Sequence, residues 1–188
     1  MSQQQATGWQ AVVAGVGGQG VIFVTRMLAN LAQDAGHRVL ISEVHGMAQR
    51  GGSVVSHLKL GDFAGPLVAL GRADLVLSLD PGEAVRNLQY LAPGSCLVVN
   101  APGPGFLSPQ ARQALKRRQV RLVAADAGSV ARQAGWPKGA NLALLAVAAA
   151  QGCLPFAPER LEPVVAQASP PARREANLAL WRAGQAVR

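Results

Sequence analysis

The chain has 188 residues and a formal net charge of +8, with 49% hydrophobic and 15% charged residues. That length suits one domain around a single core, and so apolar a chain is excluded from the disordered polyelectrolytes. With 4% aromatics, none beside Lys116-Arg117-Arg118 or Arg173-Arg174, it lacks the interleaved stacking residues of a nucleic-acid groove, so its arginines suit an acidic partner or a carboxylate- or phosphate-bearing ligand instead.

Ala11 to Gly15 is a short continuous apolar run, the pattern of a doubly covered strand, and it ends in a glycine cluster. Val21 to Ala35 carries apolar residues at helical spacing and is closed by Gly36. Arg38 to Ser42 is the next strand, giving a β-α-β unit, and Ser53 to Leu60 is a third, ended by the turn Gly61-Asp62. Asp74 to Leu79 is a buried strand, Pro81 opens a helix over Gly82 to Leu91, and Pro93-Gly94 breaks it. Cys96 to Asn100 is a strand, Pro109 to Arg118 a helix and Val120 to Ala124 the last strand. Four helices follow: Ala127 to Gln133, Asn141 to Gln151, Pro158 to Ala168 and Ala172 to Val187. Asn141 to Gln151 is apolar nearly all round, so it is buried; the last helix aligns Ala176, Leu180, Ala183 and Val187 on one face. The expected fold is α/β: an open, mostly parallel Rossmann-like sheet with helices on both faces over about residues 9–135, and a helical C-terminal extension over about 136–188, together one domain.

Two loops concentrate the chemistry. The first, Gly15-Val16-Gly17-Gly18-Gln19-Gly20, lies between a strand and a helix, where the free N–H groups of the helix start attract anions. In a dinucleotide fold its first glycine permits a tight turn, its second admits a phosphate and its third lets helix pack on strand, while Glu43 falls where a ribose-binding acid belongs. The second, Ser42-Glu43-Val44-His45-Gly46-Met47-Ala48-Gln49-Arg50-Gly51-Gly52-Ser53, brings together an acid, an imidazole, an amide and a guanidinium between two strands. In a parallel sheet it should face the first loop, with Gly51 and Gly52 allowing unusual backbone angles beside Arg50, and with Gln49 and Arg50 available to a carboxylate or phosphate.

Cys96 and Cys153 have no Cys/His cluster around them and read as buried thiols of a reducing compartment. Met1 to Gln5 lacks the pattern of a signal peptide, and the longest apolar run, Leu142 to Ala150, is too short to span a bilayer; the expected location is the cytoplasm, with neither membrane nor nucleic acid as partner. Glu43 is read as a brace of the Arg50 loop in preference to a ribose ligand, and His45 as a structural or partner contact in preference to an acid/base group. His37 and His57 are placed at the surface, Met47 at a subunit interface, Trp136 as a loop anchor and Trp181 in the core or an interface.

The two loops together resemble the gamma subunit, or fused gamma domain, of 2-oxoacid:ferredoxin oxidoreductases, and most of all the indolepyruvate-type beta subunits, which consist of that domain alone. The resemblance spans the whole chain, including the Asn141 helix and the Asn177 region, but its specific motifs are Gly15 to Gly20 and Ser42 to Ser53. It implies a complex that decarboxylates a 2-oxoacid, an aryl pyruvate here, on thiamine diphosphate and Mg2+. Electrons then pass through [4Fe-4S] clusters to ferredoxin, and the product is an acyl-CoA. This chain has no Gly-Asp-Gly stretch followed by paired asparagines to hold the diphosphate's metal, and two cysteines where one cluster needs four. The resemblance therefore implies a larger alpha-type subunit carrying the chemistry, ferredoxin reached through the complex, and an inactive isolated chain with no metal or cofactor of its own.

No catalytic residue is assigned in this chain. The candidate residues for covering the active site and holding coenzyme A or another anion are Gly15, Gly17, Gly18, Gln19 and Gly20 in the first loop. In the second they are Glu43, His45, Gln49, Arg50, Gly51, Gly52 and Ser53. The competing readings are a free-standing NAD(P)- or flavin-dependent Rossmann enzyme and a basic nucleic-acid-binding module.

Overall fold

The structure is a computed structural model that describes residues 8–46 and 51–187. Six strands form one sheet: β1 (Trp9–Val16), β2 (Val39–His45), β3 (Ser53–Leu60), β4 (Ala73–Ser78), β5 (Leu91–Asn100) and β6 (Arg121–Ala125), in the order β2-β3-β1-β4-β5-β6. β1, β4, β5 and β6 run parallel, whereas β3 is antiparallel to both of its neighbours. The sheet is therefore the expected open and mostly parallel one, with a correction to the β-α-β unit: β2 does not lie beside β1, because β3 is inserted between them. The chain returns as β3 antiparallel to β2, and the connection from His45 to Ser53 is too short for the crossover a parallel pair would need.

Helices cover both faces. α2 (Pro81–Asn87) and α3 (Pro109–Arg117) lie on one, where Ala84 and Leu115 join Val12, Val76, Leu97 and Val99 of the strands. The other face carries α1 (Val21–Asp34), α4 (Ala127–Gln133), α5 (Ala140–Ala150), α6 (Pro158–Ala168) and α7 (Arg174–Gln185). There Leu28, Leu145, Leu161 and Trp181 pack with Val13, Leu75, Leu77 and Val98. α5 explains its own sequence: with the sheet beneath it and α1, α4, α6 and α7 around it, every residue from Leu142 to Ala149 is buried. Gly184 permits the close crossing of α7 over α5, since a Cβ there would meet the Ala143 carbonyl oxygen at 2.6 Å. The C-terminal helices are thus a layer of the core.

Several element ends, and the burial of one histidine, differ from the sequence expectation. α2 stops at Asn87 and a 3-10 turn, Leu88–Tyr90, leads into β5, which starts at Leu91 rather than Cys96. Pro93-Gly94, read as a breaker, lies within β5; the register against β4 shifts there and both residues are exposed, the setting in which a strand tolerates proline. The last helix begins as a 3-10 turn, Pro171–Arg173, before α7 proper. Finally, His57 is buried rather than at the surface: its Nδ1 accepts from the Val68 N–H at 3.3 Å and its ring meets Tyr90 edge-on. Burial, and then the charge of Lys59, lower its pKa. Trp181 is fully buried, and Trp136 is clamped under Arg173, whose guanidinium lies 3.8 Å from the ring centre. Among the described residues no helix is long and apolar enough to cross a membrane.

Candidate functional site

The carboxyl ends of β1, β4 and β5, the start of β3 and the start of α5 meet at one edge of the sheet, and the glycine loop lies at their centre. Strand order reverses between β1 and β4, the position where open α/β sheets bind ligands.

The loop is locked by its own glutamine. Gln19 donates its backbone N–H to the Val16 carbonyl at 3.0 Å and accepts the Val16 N–H on Oε1 at 2.8 Å. Gly15 is buried at the end of β1, and a Cβ there would come within 2.9 Å of Val21 Cγ2 and 2.8 Å of Gln19 Oε1. Close packing of helix on strand is thus the task of the first glycine. Gly20, at φ +88°, is the N-cap of α1, and a Cβ there would collide with Asn141 Nδ2 of α5. Gly17 does not leave its amide for a phosphate as a dinucleotide loop would: its N–H donates to the Gly52 carbonyl at 2.9 Å. Gly18, at φ +94°, is the open position, with no neighbour within 4 Å of a Cβ. α1 has no side-chain cap, so the N–H groups of its first turn lie uncapped behind Gly18.

Loops one and two do face each other, as expected, but through the hairpin rather than through adjacent parallel strands. Val16 pairs with Ser53 and His45 with Val54, and Gly46 donates to the Ser53 carbonyl at 2.8 Å. Gly51 adopts φ +73°, the unusual backbone angle anticipated there. Glu43 and His45 project from edge strand β2, with His45 Nε2 3.6 Å from Glu43 Oε2. β3 fills the place beside β1 where a ribose-binding acid would stand, which leaves Glu43 a full strand too far away and weighs against the dinucleotide reading. Met47, Gln49 and Arg50 lie outside the described residues.

Sequence reasoning missed Glu83. It is buried at 2% exposure, accepts the Ser53 hydroxyl on Oε2 at 2.6 Å and pairs with Arg86 through Oε1. The segment Asp80-Pro81-Gly82-Glu83 reads as a helix start, and Asp80 does cap Gly82 and Glu83. Glu83, however, turns to loop two and pins its end.

Also missed was the far wall of the site. A cavity of about 360 Å3 opens beside the glycine loop, lined by Gly18, Gln19, Leu79, Asn100, Lys138 and Asn141 among others. Its size falls at the small end of ligand pockets. Asn100 braces it, donating to the Leu79 carbonyl and accepting from the Gly128 N–H. Lys138 is exposed and has no ion pair among the described residues, so the cavity offers one ammonium, the open Gly18 backbone and amide groups. Groups of that kind suit an anion, a phosphate above all. No group of three or more potential metal ligands occurs among the described residues.

The sequence profile of the family described as pyruvate ferredoxin/flavodoxin oxidoreductase matches residues 10–187. The chain is 32% identical to the indolepyruvate oxidoreductase subunit IorB of Archaeoglobus fulgidus over 165 residues, 82% of each chain. Its fold is that of the keto/oxoacid ferredoxin oxidoreductase gamma subunit of Geobacter sulfurreducens, with TM-score 0.73, 23% identity and coverage of 94% of this chain and 95% of that one. It also matches part of the 2-oxoglutarate:ferredoxin oxidoreductase of Magnetococcus marinus, a structure with 2-oxoglutarate, coenzyme A and succinyl-CoA bound. That match has TM-score 0.77 and 17% identity, and covers 97% of this chain and 31% of that one.

Proposed function

We propose that this chain, which belongs to the pyruvate ferredoxin/flavodoxin oxidoreductase family and is a subunit of a 2-oxoacid:ferredoxin oxidoreductase, forms the coenzyme A side of the active site in an indolepyruvate-type enzyme. The observation that carries this reading is the cavity between Gly18 and Lys138, which lies at the strand-order reversal and offers an ammonium, open backbone and amide groups among the described residues. Indolepyruvate is supported by the names of the curated relatives. Coenzyme A is supported by the anion-binding character of the cavity and by the coenzyme held in the Magnetococcus enzyme.

The chain's own residues do not fit the redox groups of such a reaction. An all-cysteine iron–sulfur cluster needs four thiolates, and this chain has two cysteines, both of them contacts of Arg121. Thiamine diphosphate, its Mg2+ and the [4Fe-4S] clusters are therefore assigned to a larger alpha-type subunit, with ferredoxin reached through the complex. The residues here do fit the coenzyme's phosphates. Lys138 supplies the charge, Gly18 and the first turn of α1 supply backbone donors, and Gln49 and Arg50 of loop two, whose Ser53 end is pinned by Glu83, are the proposed further anion contacts. The coenzyme supplies the thiol that accepts the acyl group; this chain binds, orients and screens it from water. The proposed compartment is the cytoplasm, which maintains free thiols.

The test is co-expression of the full chain with its large subunit, followed by steady-state kinetics with indolepyruvate. Lys138→Ala, Arg50→Ala and Gly18→Ala each raise the KM for coenzyme A about tenfold, the loss of about 1.4 kcal/mol of binding, with little change in kcat. A KM unchanged in all three refutes the coenzyme site. A kcat/KM for pyruvate or 2-oxoglutarate above that for indolepyruvate refutes the substrate.

A further inference from the structure

Cys96 and Cys153, distant in sequence, meet in the fold. Cys96 lies on β5 about 13 Å along the strand from Asn100, so the pair is at the opposite end of the sheet from the glycine-loop cavity. Cys153 follows α5, and its backbone is fixed by the helix's closing turn. The Cys153 N–H donates to the Ala148 carbonyl and the Gly152 N–H to that of Ala149, each at 2.9 Å, with Gly152 at φ +62°. Arg121 of edge strand β6 then brings the sulfurs together: its Nη2 donates to Cys96 Sγ at 3.3 Å and to Cys153 Sγ at 3.0 Å. Neutral thiols are weak acceptors, and an exposed guanidinium would find a better partner in water. One nitrogen held by two sulfurs is the arrangement of a cation beside a shared thiolate.

We propose that Cys96 and Cys153 are a peroxide-sensitive thiol pair, in which a hydroperoxide oxidises Cys96 and Cys153 closes an intramolecular disulfide. Cys96 is the half-buried, reachable member, and Cys153 is 4% exposed. The Cys96 thiolate attacks the outer oxygen of the hydroperoxide. The O–O bond breaks, the departing alkoxide or hydroxide takes a proton from solvent, and Cys96 becomes a sulfenic acid. The Cys153 sulfur then attacks the sulfenic sulfur, and the hydroxyl leaves as water with the Cys153 proton. The two thiols lose two electrons in total and the hydroperoxide gains them. The electrostatics agree with these roles. A hydrogen bond from the Cys153 thiol, opposed by burial and reinforced by Arg121, lowers the Cys96 pKa to about 6. The same contact, with burial, raises that of Cys153, which suits Cys96 as the attacking thiol and Cys153 as the resolving one.

The reduced full-length chain is treated with stoichiometric hydrogen peroxide at neutral pH and mapped by mass spectrometry without reduction. The expected product is a Cys96–Cys153 linked peptide that has lost two hydrogens and is restored by dithiothreitol. Cys153→Ser yields instead a Cys96 sulfenic acid trapped by dimedone. Independently of any variant, the pH profile of Cys96 alkylation by iodoacetamide in the unmodified chain has its midpoint near about 6, and Arg121→Gln moves that midpoint upward. The proposal is overturned by an alkylation midpoint in the ordinary range near ~8.5. Peroxide treatment that leaves both thiols free, or that links only separate molecules, overturns it equally.

Discussion

Among the described residues, loop two is tied to α2 by the hydrogen bond from Ser53 to Glu83, and its strength follows from where its partners lie. Glu83 is 2% exposed, its Oε2 accepts the Ser53 hydroxyl at 2.6 Å, and its Oε1 faces Arg86, whose side chain is 70% exposed. Ser53→Ala removes a hydrogen bond to an ionised acceptor and leaves that oxygen dry, a loss of about 1.5–3 kcal/mol. Arg86→Ala leaves the buried carboxylate without its counter-charge, a loss of about 3 kcal/mol or more. For a chain of this size each kcal/mol lowers Tm by about 2–4 °C, so Ser53→Ala should melt roughly 5 °C lower and Arg86→Ala about 6–12 °C lower. Denaturant titrations of Ser53→Ala, Glu83→Gln and the double variant close a cycle whose coupling should reach about 1 kcal/mol, because the two side chains share the deleted bond. If the losses of Ser53→Ala and Glu83→Gln simply add, then Glu83 is held by its helix and not by loop two, and the reasoning fails.

His57 makes stability depend on acidity. Its folded pKa is lowered by burial and by Lys59, so below the ordinary value of 6.5 the unfolded chain binds a proton that the folded chain resists. The contribution is complete above that pH and is lost as pH falls, with a slope of at most about 1.4 kcal/mol per pH unit; His57→Asn should flatten that part of a pH series of urea midpoints. Gly20→Ala should cost at least about 2 kcal/mol, from the positive φ together with the collision with Asn141, whereas Gly36→Ala, at φ +82° in open space, should cost about 1 kcal/mol. Adding Asn141→Ala to Gly20→Ala should recover part of the loss in denaturant titrations. Trp181→Phe should lose less than about 1.5 kcal/mol, against about 3–5 kcal/mol for Trp181→Ala, because the buried indole N–H has no partner among the described residues to forfeit.

The alternation of strands and helices was legible because apolar period reports burial directly: Ala11 to Gly15 and Asp74 to Leu79 are doubly covered runs, and Leu142 to Ala149 is apolar all round because helices and sheet surround it. Strand direction is not a property of period, so Ser53 to Leu60 read the same either way. Loop length carried the missing signal, since residues 46–52 have no room for a crossover. Lys138 and Asn100 had no such signal. They reach the site because α5 starts over the glycine loop and β5 ends beside it, long-range placements that no local pattern records. His57 misled because it occupies an alternating strand, and the segment that buries it, ending in Val68, lies across the β3–β4 connection.

The inserted strand also decides what the glycine loop is for. In a dinucleotide fold the strand after the first helix lies beside β1, its terminal acid grips the ribose, and the middle of the loop stays open to the pyrophosphate. Here β3 occupies that place, Gly52 occupies the Gly17 amide at 2.9 Å, and Glu43 is moved out to the sheet edge beside His45. The same six-residue loop is thereby closed on its β3 side and open only at Gly18, toward Asn100, Lys138 and the start of α5. A ligand at this loop must therefore lie over the ends of β4 and β5, not across β2. On the proposed reading its anionic end meets Lys138, and the rest projects over the sheet edge, where the described residues supply no further wall and a larger subunit would provide one.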